Sequence, residues 1–398
     1  MKGSVRLALA VGGMITLAAG TGRAADEVVR LGLSVPLSGT AAVWGKAADW
    51  LCKRAAQDVA AAGGVKVAGK TYAFECISYD NKYNAADGAK VAQTLLNRDG
   101  VRFIALSIGT APVRALQSLS ERNGALLFTV AWGASIKGPN FPLTFTQMNT
   151  PYELFGPLLG YVKNENPGIR TVALLNPNDA TGQDSEPVNR KVWESLGVKV
   201  VSSDWYERGT TEFQPIAAKI AGLKPDAVDL GTSPPGESGS ILRELKVLGW
   251  DGVKVEGTGS GTDGIVQTGG EAANGVYVGA AIPFDGPFAT DRQKAINEEA
   301  RAAFGENLNA IEIGAYNAVM ALKAGMEKAQ SVDPRKVAAA LPEVVFDSFY
   351  GPAAYGGKAD YGSAQQMLIP VIVSQIQGGK LVERQRILPD ELKARIGQ

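Results

Sequence analysis

The chain contains no histidine, and that absence removes more chemistry than any other feature of its composition. Without an imidazole there is no Ser-His-Asp or Cys-His dyad, no histidine zinc ligand and no histidine general base. Asp, Glu, Lys, Tyr and Cys are what remain for enzyme chemistry, and no G-x-S-x-G nucleophile turn is present. Excess charge is missing too. Lys plus Arg and Asp plus Glu stand at 40 each, so the chain offers no basic field for nucleic acid. No low-complexity block interrupts the 398 residues, of which 45% are hydrophobic and 20% charged. That length supports two domains, each with its own core.

The longest apolar run near the start, Leu7 to Ala19, is too short for a permanent membrane anchor. Lys2 and Arg6 precede it, and Gly22-Arg23-Ala24 follows with a small-x-small pattern before Ala25-Asp26. This is the layout of a cleaved secretory leader over residues 1–24, and it predicts a periplasmic protein. No cysteine follows the cleavage position, which argues against a lipid anchor there. Losing Lys2, Arg6 and Arg23 leaves 37 of the 40 basic residues against 40 acidic ones, a net charge near −3. Cys52 and Cys76 are the only cysteines. In an oxidising compartment they read equally well as a disulfide or as two buried thiols.

Short apolar strands alternate with amphipathic helices along the mature chain. Strands are expected at Val28–Leu33, Tyr72–Ser78, Arg102–Leu106 and Ala125–Thr129. A helix is expected from about Val43 to Ala62, with Trp44, Ala48, Leu51, Cys52, Ala55 and Val59 on one face. The rhythm restarts after Asn149, with strands at Thr171–Leu175, Val198–Ser202, Ala227–Leu230 and Val253–Glu256. A long helix near Asn309–Ala329 and a hairpin turned at Gly378-Gly379 close the chain. Two such series predict an α/β protein of two doubly wound parallel-sheet lobes.

Gly259, Gly261 and Gly264 fall on the spacing G-x-G-x-x-G. A dinucleotide turn needs a full helix from its third glycine and an acidic residue ending a second strand. Here IVQTGGEAANG follows Gly264, and the acidic residue at the right distance, Asp285, sits in the loop-like PFDGP. No nucleotide cofactor is expected. The glycines read better as a loop, Thr258–Asp263, at the carboxyl end of a strand, where open parallel sheets bind small ligands. Other strand ends are rich in small polar groups: Val35 to Thr40, Ser107-Ile108-Gly109-Thr110, Val130-Ala131-Trp132-Gly133, Asn176 to Thr181 and Gly231-Thr232-Ser233-Pro234-Pro235. Any one of these reads as an ordinary turn. Converging from two facing sheets, they describe a cleft that closes on a small molecule.

Three long segments carry a family resemblance: LGLSVPLSGTAAVWG, AAGGVKVAGKTYAFECISYDNKYNAADGAKVAQTLL and YGPAAYGGKADYG. Through them the chain resembles the periplasmic solute-binding proteins of ABC importers, of the leucine/isoleucine/valine-binding type. The resemblance implies two lobes joined by three crossover segments, near Gln147–Thr150, Val278–Ile282 and Tyr350–Tyr355. It divides the mature chain into residues 25–149 plus 279–352 and residues 150–278 plus 353–398. The ligand site it implies draws on Trp44, Ile108, Gly109, Thr110, Ala131, Trp132 and Gly133 from the first lobe. Asp179, Thr181, Ser233 and Thr258 would come from the second. Thr110, with backbone N–H groups, would receive a ligand carboxylate.

The departures from the family pattern bear on the ligand. Amino-acid-binding members hold the ammonium with a Thr and a Glu, and those positions are Gly133 and Thr258 here. Glu256 and Asp179 are the alternative carboxylates. An ammonium buried without a counter-charge is costly, so the expected ligand is a carboxylate lacking the α-amino group, with Trp44 and Trp132 flanking it. The implied activity is capture and delivery to an inner-membrane ABC permease and its ATPases by a monomer, without metal, cofactor or nucleic acid. The rivals are a sensory ligand-binding protein and a secreted carboxylate-dependent enzyme.

Overall fold

A computed structural model describes residues 25–257 and 261–398. The expected leader, residues 1–24, and Thr258 with its two successors lie outside the described residues.

The strands form two separate sheets. In the first, the order is Val345–Ser348, Gly351–Gly356, Gln366–Leu368, Thr144–Thr146, Leu126–Thr129, Phe103–Ser107, Glu27–Val35, Lys70–Asp80 and Val65–Val67. The six strands from Gln366–Leu368 to Lys70–Asp80 pair in parallel, and the two edges are antiparallel. Every residue of Phe103–Ser107 and Leu126–Thr129 is buried, as expected where helices cover both faces. The second sheet runs Lys380–Ile387, Val371–Gln377, Tyr277–Gly279, Val253–Glu256, Ala227–Asp229, Thr171–Pro177 and Lys199–Tyr206. Its last five strands are parallel, and the closing hairpin adds the antiparallel edge. The α/β class and the two doubly wound sheets are therefore as the sequence predicts.

Three chain segments connect the sheets, and side chains lace them together. Gln147 donates to the Tyr355 hydroxyl at 2.6 Å, Asn149 to the Pro370 carbonyl at 3.1 Å, and the Ala280 N–H to the Ile372 carbonyl at 2.8 Å. The chain leaves the first sheet after Thr144–Thr146 and returns to it after Tyr277–Gly279. The third crossover does not lie at Tyr350–Tyr355: Gly351–Gly356 pairs with Val345–Ser348 as a hairpin inside the first sheet. Gly351, at φ +91°, and the Ser348 hydroxyl, which donates to the Gly351 carbonyl at 2.7 Å, build that turn. The chain changes sheets at Ile369–Pro370, so the first sheet runs past the division expected at residue 352.

Two close approaches fix the walls of the cleft. A Cβ on Gly45 would lie 1.8 Å from the Pro36 carbonyl oxygen, so the helix Ala42–Ala61 sits directly on the loop after the first strand. A Cβ on Gly314 would lie 2.7 Å from Val130 Cγ1, which sets the helix Ala310–Ala329 against the strand end leading to Trp132. Cys52 on the first helix and Cys76 on the strand Lys70–Asp80 are joined as a disulfide.

The glycine spacing opens no dinucleotide helix. The helix Thr262–Gly269 starts before Gly264, runs eight residues and stops at glycine. Asp285 sits in a loop with an exposed carboxylate, 3.9 Å from Lys380.

Candidate functional site

The carboxyl ends of the two sets of parallel strands face each other, and a cavity lies between them. Trp44, Tyr83, Ile108, Gly109, Thr110, Val130, Ala131 and Trp132 line it from the first lobe, with Ile311 from the helix Ala310–Ala329. Thr181 and Thr232 line it from the second. Its volume is about 20 Å³, room for a single water. A ligand of amino-acid size enters only when the lobes part.

The first lobe supplies an anion cradle. Gly109, at φ +95°, turns the chain into the helix Thr110–Asn123, and Thr110 is its first, fully buried residue. The first N–H groups of a helix have no partner inside it and carry the positive end of its dipole. They and the Thr110 hydroxyl can hold a carboxylate without a lysine or arginine. The Ala131 N–H is not available to it, being donated to the Thr129 hydroxyl at 2.9 Å. Aromatic rings form the walls. Trp44 packs on Tyr83 with centroids 5.9 Å apart, and Trp132 meets Phe155 edge-on at 6.3 Å.

The carboxylates expected to receive an ammonium are engaged elsewhere. Asp179 caps the helix Ala180–Ser195, accepting from the Thr181 and Gly182 N–H groups at 3.0 Å, and pairs with Arg208 Nε at 2.6 Å. Glu256 is fully buried and accepts from the Ser238 hydroxyl at 2.8 Å. Gly133 does not face the cavity. A Cβ there would lie 2.0 Å from Asp184 Oδ2, and Asp184 pairs across the lobes with Arg114 at 2.7 Å.

Three further contacts cross the cleft. Thr181 donates to Thr110 at 3.1 Å, the Tyr83 hydroxyl meets Thr181 at 3.1 Å, and the Arg208 guanidinium stacks 4.8 Å from the Tyr83 ring centroid. Behind this line, Arg208 Nη1 and Nη2, the Thr232 hydroxyl and the Asn176 amide are buried without a hydrogen-bond partner among the described residues, and the Tyr206 hydroxyl sits against Ser233 and Glu237. Burial pushes the Tyr206 and Tyr83 hydroxyls and the Glu237 carboxyl upward. Burial alone would lower Arg208, but Tyr83 and Asp179 outweigh it and raise it.

Of the residues expected from the sequence, Trp44, Ile108, Gly109, Thr110, Ala131, Trp132 and Thr181 line the cavity. Asp179 and Ser233 are not among the lining residues, Gly133 is turned to Asp184, and Thr258 lies outside the described residues. Val130 and Thr232, from strand ends expected at the cleft, line it too; Tyr83 and Ile311 line it without having been singled out, and Tyr206, Arg208 and Glu237 stand just beyond. Arg208 was hidden by a strand end placed too early: the expected Val198–Ser202 is Lys199–Tyr206, which brings Arg208 to a strand's carboxyl end.

The family model for periplasmic binding proteins matches residues 28–380. A leucine-, isoleucine-, valine-, threonine- and alanine-binding protein of Pseudomonas aeruginosa is 25% identical over 360 residues, covering 90% of this chain and 94% of that one. Among solved structures, a leucine-binding protein of Thermotoga maritima superposes with a TM-score of 0.76 at 19% identity, covering 92% of this chain and all of the other. A solute-binding protein of Rhodopseudomonas palustris in complex with 3,4-dihydroxybenzoic acid gives 0.75 at 21%, covering 91% and 97%.

Proposed function

Since the chain belongs to the periplasmic binding protein family, we propose that it captures a small carboxylate-bearing ligand that lacks an α-amino group and delivers it to an ABC permease. The carrying observation is that Asp179 and Glu256 are already engaged with Arg208 and Ser238, while the Thr110 cradle faces the cavity. A carboxylate has a receiver there, and neither of the two carboxylates expected to receive an ammonium lines the cavity. The aromatic walls of Trp44, Tyr83 and Trp132 favour a flat or apolar body. The Rhodopseudomonas neighbour is solved with an acid of that kind, while the Pseudomonas relative is named for amino acids, and the lining of the cavity favours the acid.

Capture works by closure. Contacts to both lobes stabilise the shut form, and a ligand shifts the equilibrium by its preference for that form. The cleft carries out no chemical step in this reading. The exported chain acts as a monomer in the periplasm, and the permease with its ATPases receives it there.

The test is a thermal-shift and titration series on mature protein stripped of bound ligand. It pairs leucine with 4-methylpentanoate and phenylalanine with 3-phenylpropanoate. A ligand at a hundred times its dissociation constant adds about 2.7 kcal/mol. The acids are expected to stabilise the protein and the amino acids not. Stabilisation by the amino acids alone would overturn the reading.

A further inference from the structure

We propose that Arg208, Tyr206 and Glu237 form a second polar receptor, across the cleft from Thr110, that selects ligands carrying a hydroxyl at the end opposite their carboxylate. The inference rests on the carboxylate reading above and adds the chemistry of the ligand's other end.

Buried polar groups without partners are few in native proteins, and each calls for an explanation. Among the described residues, six of the seventeen such atoms belong to Tyr206, Arg208, Thr232, Ser233 and Glu237. Tyr206 ends the strand Lys199–Tyr206, Arg208 follows it, Thr232 and Ser233 follow Ala227–Asp229, and Glu237 lies in the first turn of Pro235–Val247. Thr232 lines the cavity, and Arg208 stacks on Tyr83, which lines it too. The cluster is thus continuous with the ligand space. Its framework is rigid: Asp179 holds Arg208 Nε at 2.6 Å, and Glu237 Oε1 accepts the Gly209 N–H at 2.7 Å. What remains open is one edge of the guanidinium and the Thr232 hydroxyl, while Glu237 Oε2, which faces Tyr206, keeps a lone pair for a further donor.

Charge decides which group fits. The Arg208 charge is balanced by Asp179, and Glu237 brings another carboxyl to the same place. A second ligand carboxylate would set three carboxyl groups around one guanidinium. An ammonium would find Glu237, but it has no lone pair for the Arg208 Nη donors and would add its charge beside the guanidinium. A hydroxyl accepts from the Arg208 Nη groups and donates to Glu237 Oε2, satisfying both without adding charge. A ligand without that hydroxyl leaves the groups unpaired, which is how a polar site rejects an analogue.

The experiment is isothermal titration of the stripped mature chain with matched probes of two lengths. These are benzoate against 4-hydroxybenzoate, and 3-phenylpropanoate against 3-(4-hydroxyphenyl)propanoate, with terephthalate as the diacid. The expected result is a preference of at least tenfold for the hydroxy acid in the pair whose length fits. Arg208→Gln, which keeps a donor for Asp179, should cut that preference below about threefold, read as the ratio within the pair, because the lost stacking on Tyr83 weakens both acids alike. Glu237→Gln, of the same shape, exchanges the acceptor for a donor and should shift preference from the hydroxy acid toward terephthalate. Tight binding of the parent acids with no hydroxyl preference overturns this inference and leaves the carboxylate reading intact. Wild-type preference for terephthalate overturns it also. Failure of all the acids to bind, with amino acids binding, overturns both.

Discussion

Thr181 donates its hydroxyl to the Thr110 hydroxyl across the cleft at 3.1 Å, so the first turns of two helices from opposite lobes touch through their side chains. The Tyr83 hydroxyl lies 3.1 Å from the same Thr181 oxygen, which makes a row of three hydroxyls along the cavity. A ligand carboxylate accepts from the Thr110 hydroxyl, whose own oxygen goes on accepting from Thr181. Hydrogen bonds to a charged group contribute about 1.5–3 kcal/mol. Thr110→Val is therefore expected to weaken binding of the carboxylate ligand by about tenfold or more in a calorimetric titration. Thr181→Val should cost less, about fivefold, since its contact is neutral. Unchanged binding in Thr110→Val would place the carboxylate elsewhere.

The lining of the first lobe was legible because its loops follow strands whose ends the hydrophobic pattern marks clearly. Ile108, Gly109 and Thr110 follow a fully buried strand, and Ala131 and Trp132 follow another. Trp44 lies one turn into a helix with regular spacing. The second lobe was harder to read. Val198 to Tyr206 mixes apolar and polar residues on a sheet edge, where only one face needs burial, so the pattern fades before the strand ends. Arg208 was lost with it. Pro187 lies inside the helix Ala180–Ser195, although proline usually marks a first turn rather than an interior. The partners that Asp179 and Glu256 take up are long-range contacts that no local spacing reveals.

Gly133 stands where the resemblance expects a threonine, and the space such a side chain would need is filled by Asp184 Oδ2, 2.0 Å from the Cβ position. Asp184 there joins Arg114, whose side chain is 42% exposed. An ion pair this open contributes about 0.2–1 kcal/mol. Asp184→Asn should thus weaken ligand binding less than fivefold, mainly through faster release, with less effect at high salt. Gly133→Thr should do more, because it pushes Asp184 aside and holds the lobes apart. A loss of tenfold or more is expected, recovered in large part by adding Asp184→Ala. If the added substitution restores nothing, the threonine acts on the ligand and not on closure.

The Cys52–Cys76 disulfide links residues 24 apart and ties the first helix to the strand beside it. Closing a loop of that length stabilises by about 3 kcal/mol in the chain-entropy account. The Cys52→Ala, Cys76→Ala double variant should unfold at lower denaturant by that amount while keeping its ligand affinity, since neither residue lines the cavity. Wild-type protein under reductant should move to the same midpoint. A variant as stable as the wild type would mean that neither the bond nor the packing of the Cys52 sulfur adds to stability.

Lys137 gives the stability a pH dependence of definite sign. Its ammonium is buried at the first crossover, 3.1 Å from the Thr150 hydroxyl, 4.1 Å from the Tyr361 ring centroid and 3.7 Å from Glu153. Burial pushes it down to about 8, against the pull of Glu153. The unfolded chain, with an ordinary lysine, then holds the proton more tightly than the folded one between pH 8 and about 10.5. Stability therefore rises with pH across that window. From pH 7 to pH 9.5 the gain comes to roughly 2 kcal/mol. Above about pH 10 the buried tyrosines Tyr350, Tyr355 and Tyr361, all pushed upward by burial, act in the opposite sense and bound the useful range. Denaturant melts at pH 7, 8, 9 and 9.5 on wild type and Lys137→Met isolate the group, since every other titration is common to both. The wild type should gain on the variant steadily through that range. A constant difference would mean that water reaches the ammonium in the folded protein, and that Lys137 stays charged at the crossover throughout.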